Sequence, residues 1–186
     1  ELLDLDRFIY PVVRARVEGR EIWLAPNNRF TPFGYLPPLI RDATGLVLRQ
    51  EGAPLVKTPA TTGSDGRRRL VCEAHIKEPP KVELGCREEY TGLYALSWRR
   101  TLSQLDKRGQ ERRVEQGAMG ILAGANVHAI KVENLEDTSK PLALSWKGEG
   151  KLLDMGDGIW DLSLGLSPAY LTRRTVKIPS RRTPFF

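Results

Sequence analysis

Residues 69–90 read Arg-Leu-Val-Cys-Glu-Ala-His-Ile-Lys-Glu-Pro-Pro-Lys-Val-Glu-Leu-Gly-Cys-Arg-Glu-Glu-Tyr. Leu70, Cys72, Ala74 and Ile76 recur every second position, and so do Val82, Leu84 and Cys86. A period of two places each set on one face of a strand. Facing the two sets together across a loop at Glu78-Pro79-Pro80 predicts the pairs Ile76/Val82, Ala74/Leu84 and Cys72/Cys86. Cross-strand Cβ atoms lie about 4.5–5.5 Å apart, slightly wide for a disulfide but close to its range. A bridge and two buried free thiols are therefore both open, and the spacing leans towards thiols.

Downstream, the period changes. Thr91 is placed as a helix N-cap, and Ala95, Trp98, Leu102 and Leu105 follow at spacings of three and four. Arg99, Arg100, Ser103 and Gln104 are expected to face solvent. A second helix starts near Asp106, with Val114, Ala118, Ile121 and Leu122 inward and Gly124 as its end; Gly109, Gly117 and Gly120 weaken it. Strands are then expected over 126–134, 141–147, 151–155, 159–166 and 170–178. Trp98, Trp146 and Trp160 each sit on an apolar face and read as core. Strands at roughly regular spacing, interrupted by two helices, give an α+β class: a mainly antiparallel β-sandwich with two helices inserted between strands.

Upstream, residues 58–66 have linker composition, and 45–57 hold two short strands around Glu51-Gly52. Residues 8–24 give a hairpin signal with its turn at Glu18-Gly19-Arg20. A proline-punctuated wrap follows over 26–44, which Phe30, Phe33, Tyr35 and Leu36 should pin against something apolar. Two strands are not stable alone, so the hairpin needs a partner from this chain or from an upstream domain. The organisation is thus 1–44, hairpin and wrap; 45–66, short strands and linker; 67–186, the C-terminal β domain.

Composition sets broad limits. The 186 residues carry a net charge of +6, 40% hydrophobic and 28% charged residues, as in soluble globular proteins. No apolar run approaches the ~18–20 residues needed to span a bilayer. No signal peptide is visible, and a first residue of Glu1 reads as a processed chain or a fragment. The basic clusters, Arg67-Arg68-Arg69 and Arg99 to Arg113, read as solvated faces. Nucleic-acid binding through the second cluster is an alternative, and it would weaken steeply with salt.

Self-contained chemistry is hard to find. Cys72 and His75 are three apart on a strand and point to opposite faces, so they form no local dyad. His75 and His128 lack ligand spacing, and no metal or cofactor is expected. Glu88-Glu89 and Glu136-Asp137 read as solvated carboxylates. Gly117 to Gly120 and Gly148 to Gly150 lack the context of a phosphate loop.

One resemblance is specific. Phe8-Ile9-Tyr10, then Trp23-Leu24-Ala25-Pro26-Asn27 and Phe33 to Pro37, with Gly92 to Arg99 and a final Arg182-Thr183-Pro184, are similar to bacterial transglutaminase-like proteins. There a papain-like thiol domain lies between β-domains of unknown function. The resemblance makes the hairpin a remnant of that thiol core and implies a periplasmic or secreted location. The family's nucleophilic cysteine would lie upstream. Its histidine position here reads Tyr10, and its aspartate position reads Ala25. Tyrosine, with a pKa near 10, is a poor general base at neutral pH, and alanine cannot orient one. The implied function is non-catalytic, structural or interaction-based. Its partners would be upstream domains of the same parent, and a protein or glycan surface. The competing expectation is a part of an active thiol-dependent transglutaminase or protease.

Overall fold

The computed structural model describes residues 10–48, 52, 54–60, 66–122, 124–162 and 164. The fold is α+β with antiparallel strands and two inserted helices. In order, the elements are β1 (Val13–Val17), β2 (Arg20–Leu24), β3 (Thr44–Leu46), β4 (Leu55–Lys57), β5 (Arg68–Ile76), β6 (Lys81–Tyr90), α1 (Gly92–Leu102), α2 (Lys107–Met119), β7 (Asn126–Glu133), β8 (Leu142–Lys151), β9 (Leu153–Asp154) and β10 (Trp160–Asp161). β5, β6, β8 and β7 form one four-stranded sheet in that order, and the other strands pair as β1–β2, β3–β4 and β9–β10. No helix among the described residues is long and apolar enough to cross a membrane. The strand expected over 170–178 lies outside the described residues.

The β5–β6 register is the one the alternation predicts: Ile76 faces Val82, Ala74 faces Leu84, and Cys72 faces Cys86. The cysteines are joined as a disulfide, with their Cα atoms 4.1 Å apart. The spacing argument for free thiols is corrected here: the two backbones approach more closely at this pair than the average used for it.

The inner face of the sheet carries Val82, Leu84, Cys86, Tyr90, Leu142, Leu144 and Trp146, and the helices cover it with Ala95, Leu102, Val114 and Ala118. Where β7 faces Trp146 of β8 the register shifts by one residue, between His128 and Lys131. This bulge keeps both Val127 and Ile130 against the core. Asp106 caps α2 by accepting the Gly109 N–H at 2.8 Å. A Cβ on Gly109 would lie 2.9 Å from that carboxylate, so the glycine that weakens the helix in isolation makes room for its cap. Thr91 precedes α1 without a side-chain cap, and its hydroxyl accepts the Arg67 N–H instead.

Two charged residues depart from the sequence reading. Arg99 does not face solvent; it is 1% exposed. Its guanidinium donates to the backbone oxygens of Asn134 at 3.1 Å, Asp137 at 2.8 Å and Lys140 at 2.7 Å, all in the loop joining β7 to β8. Burial lowers its pKa, and Asp137 and Glu136 oppose that shift. Glu88 is not solvated either. It lies beneath the sheet at 4% exposure, accepting from Arg68 Nε at 2.9 Å and from the Tyr90 hydroxyl. Burial first, and then this carboxylate, raise the pKa of Tyr90 above its ordinary value. In both cases the hydrogen bonds offset part of the desolvation cost. Among the tryptophans, Trp146 is buried and Trp98 packs beside the core, but Trp160 sits half-open on the short β9–β10 hairpin.

Replacing both cysteines by alanine is expected to lower unfolding stability by up to about 3 kcal/mol, the value for a closed loop of this size. Urea unfolding with and without reductant measures it, and reduction should leave the double variant unchanged. Arg99→Leu takes the guanidinium donor from three carbonyls and should cost about 2–4 kcal/mol. Arg99→Lys, a point donor without the planar fork, should recover less than half of that in the same assay.

Candidate functional site

β1 and β2 pair from Val13 opposite Leu24 to Val17 opposite Arg20. Glu18 and Gly19 form the two-residue turn, with φ of 50° and 78°. Two positive values in succession match the right-handed twist of the flanking strands, and glycine suits the second position. The alternation sends Trp23 to one face, where it joins Ala25, Leu36 and Ile40 as buried core, with Tyr10, Val12 and Val56 packed against them.

The wrap after β2 is held by local hydrogen bonds. Asn28 Oδ1 accepts the Phe30 N–H at 2.9 Å, and a 3-10 turn spans Pro38–Ile40. Buried Thr58 then closes the unit: its hydroxyl donates to the Ile40 oxygen at 2.7 Å and accepts the Ala43 N–H at 3.0 Å. Residues 61–65 of the expected linker lie outside the described residues. Of the side chains expected to pin the wrap, Phe30 and Leu36 are buried, but Phe33 is 74% exposed. Phe33 instead forms one lip of a groove of about 350 Å³, with Ile22, Trp23, Leu36 and Pro59 as its apolar lining and Glu21 and Arg41 at its margins.

The structure brings Tyr10 and Ala25 into one cluster, and that cluster is apolar. Ala25 is 5% exposed, a methyl group inside a small core. The nearest carboxylate on the hairpin, Glu21, pairs with Arg14 and accepts the Trp23 indole N–H at 2.8 Å. These hydrogen bonds, Arg14 first, hold its carboxyl below the usual range. It therefore stays ionised and engaged, which suits a structural anchor better than a proton shuttle.

The remaining candidates are dispersed. Cys72 is bridged to Cys86, so it offers no thiolate. His75 faces Glu83 across the β5–β6 pair, on the side of the sheet away from the cysteines. No His, Cys, Asp or Glu cluster among the described residues could hold a metal ion. The basic stretch from Arg99 to Arg113 is less available than its composition implies. Arg99 is buried, Arg113 stacks over the Trp98 ring at 4.8 Å, and Glu111 and Glu115 interleave with the rest. Comparison with family models, curated proteins and solved structures returns no match.

Introducing the carboxylate by Ala25→Asp should destabilise the protein by about 2–4 kcal/mol at neutral pH, because the cluster offers it no partner. A buried acid without a partner has a raised pKa in the folded state. The cost relative to wild type should therefore shrink as pH falls and the group is protonated. Paired urea titrations at neutral and acidic pH measure the difference.

Proposed function

We propose that this chain is a non-catalytic structural and interaction region of a bacterial envelope or secreted protein of the transglutaminase-like kind. The observation that carries this reading is the buried methyl of Ala25, packed in the same apolar cluster as Tyr10. A triad carboxylate at that position would have to reach a histidine ring, and the two positions here carry an alanine and a phenol. The only carboxylate on the hairpin near them, Glu21, is held by Arg14 and Trp23.

Two further observations support the setting. The Cys72–Cys86 disulfide suits an oxidising compartment such as the periplasm or the extracellular space. The second face of the β1–β2 hairpin carries Val13, Ala15, Val17, Ile22 and Leu24, with Val13 48% and Val17 44% exposed. A two-stranded ribbon is not stable alone, and its open aliphatic face suits packing against a larger unit. Upstream domains of the same parent are the partners that would cover it.

The test is an assay of the parent protein for acyl transfer and for proteolysis, with and without a cysteine-reactive probe. The expected result is no turnover in either reaction. Probe-sensitive turnover would overturn the proposal and identify an active thiol enzyme with its nucleophile upstream.

A further inference from the structure

The flank of α2 beside β7 carries a stripe with an unusual symmetry. Arg108, Arg112, Glu115 and Met119 lie at spacings of four, three and four, with Glu111 beside them and Leu105 three residues before Arg108. The four charged residues and Met119 share one side of the helix, and Leu105 lies just before its N-cap. Read in order, the stripe is apolar, positive, negative, positive, negative, apolar. Arg108 and Glu111, and Arg112 and Glu115, are close enough in sequence to pair. Among the described residues, none of the four makes an ion pair, hydrogen bond or ring contact. Leu105 and Met119 are 36% and 43% exposed. The four charged residues also wall a groove of about 590 Å³ against Val127, His128, Ala129 and Ile130 of β7. β7 is an edge strand of the four-stranded sheet.

We infer that this face of α2 is the contact of a two-fold homodimer, in which α2 packs antiparallel to α2 of a second copy. The stripe is its own complement when reversed. A two-fold axis between Glu111 and Arg112 sets Arg108 against the second copy's Glu115 and Glu111 against its Arg112. A parallel arrangement would set like charges together. A uniformly acidic or basic partner would meet two charges of its own sign in either direction. Only a partner with the same alternation avoids every like-charge contact, and this chain carries it. A two-fold interface requires such self-complementarity. The groove that the stripe lines gives room for the second copy's side chains, and the bulge in β7 discourages sheet-edge pairing in place of helix pairing. Solvated ion pairs contribute little each, so the association is reversible and weakens with salt.

The test exploits the alternation. In the full chain, Arg108→Glu with Arg112→Glu makes the row uniformly acidic, and Glu111→Arg with Glu115→Arg makes it uniformly basic. Sedimentation equilibrium should show a wild-type dimer. Each double variant alone should dissociate with a Kd raised roughly a hundredfold or more by like-charge contact. Mixing the two should restore a one-to-one heterodimer. As a second measurement independent of those variants, Arg108→Cys with Glu115→Cys should cross-link two chains under mild oxidation, whereas Arg100→Cys should not. A monomeric wild type would overturn the inference. So would double variants that still dimerise, a mixture that stays monomeric, or cross-linking no greater at 108/115 than at 100.

Discussion

The β7–β8 connection depends on a single cation. Arg99 projects from α1 into the loop between Asn134 and Lys140 and gathers three carbonyl oxygens, of which only that of Asp137 also accepts a backbone N–H, from Lys140 at 3.4 Å. β8 is a central strand of the sheet, paired with β6 on one side and β7 on the other. Fixing the loop that enters β8 therefore fixes α1 relative to the sheet it covers. A hydrophobic residue at this position would pack but would leave the Asn134 and Lys140 oxygens without this donor. The planar guanidinium fork can satisfy several at once. Glu88 acts similarly near the same end of the sheet, where Arg68 and Tyr90 converge on one carboxylate.

Both of these residues were visible in the pattern and were misread because of their charge. Glu88 continues the inward series of Val82, Leu84 and Cys86. Arg99 falls four residues after Ala95 and three before Leu102, and those three are the buried positions of α1. Periodicity located them correctly; the assumption that charge faces water did not. A partner is what makes such burial tolerable, and partners are set by tertiary structure: the Asn134–Lys140 loop in one case, Arg68 across the hairpin in the other. Positions governed by local spacing were legible. They include the β5–β6 register, the start of α2 at Asp106 and the Cys72/Cys86 apposition. The oxidation state of that pair was not legible, because it turns on the local approach of two backbones.

The hairpin site shows the same division. The two-strand signal, the turn at Glu18-Gly19 and the inward Trp23 follow from alternation and turn chemistry. The exposed Phe33 does not, because which aromatic of a proline-rich wrap is buried depends on the path of the chain around Leu36 and Ile40. That path leaves a small core and an excess of apolar surface: Phe33, Leu39 and Leu48 are all largely exposed. So few buried side chains stabilise little by themselves.

The two surfaces proposed as contacts differ in physical kind, and so in permanence. The open hairpin face is aliphatic, and leaving Val13 and Val17 in water forfeits burial free energy for as long as they stay there. A partner for that face is best supplied within the same polypeptide, where effective concentration is high and the contact can persist. The stripe on α2 loses little in water, since its four central groups are well hydrated charges. Association there exchanges hydration for ion pairs at nearly even cost, which suits an equilibrium that responds to concentration and salt. A permanent joint on the hairpin and a reversible one on α2 need not compete, because they occupy separate elements and draw on different interactions.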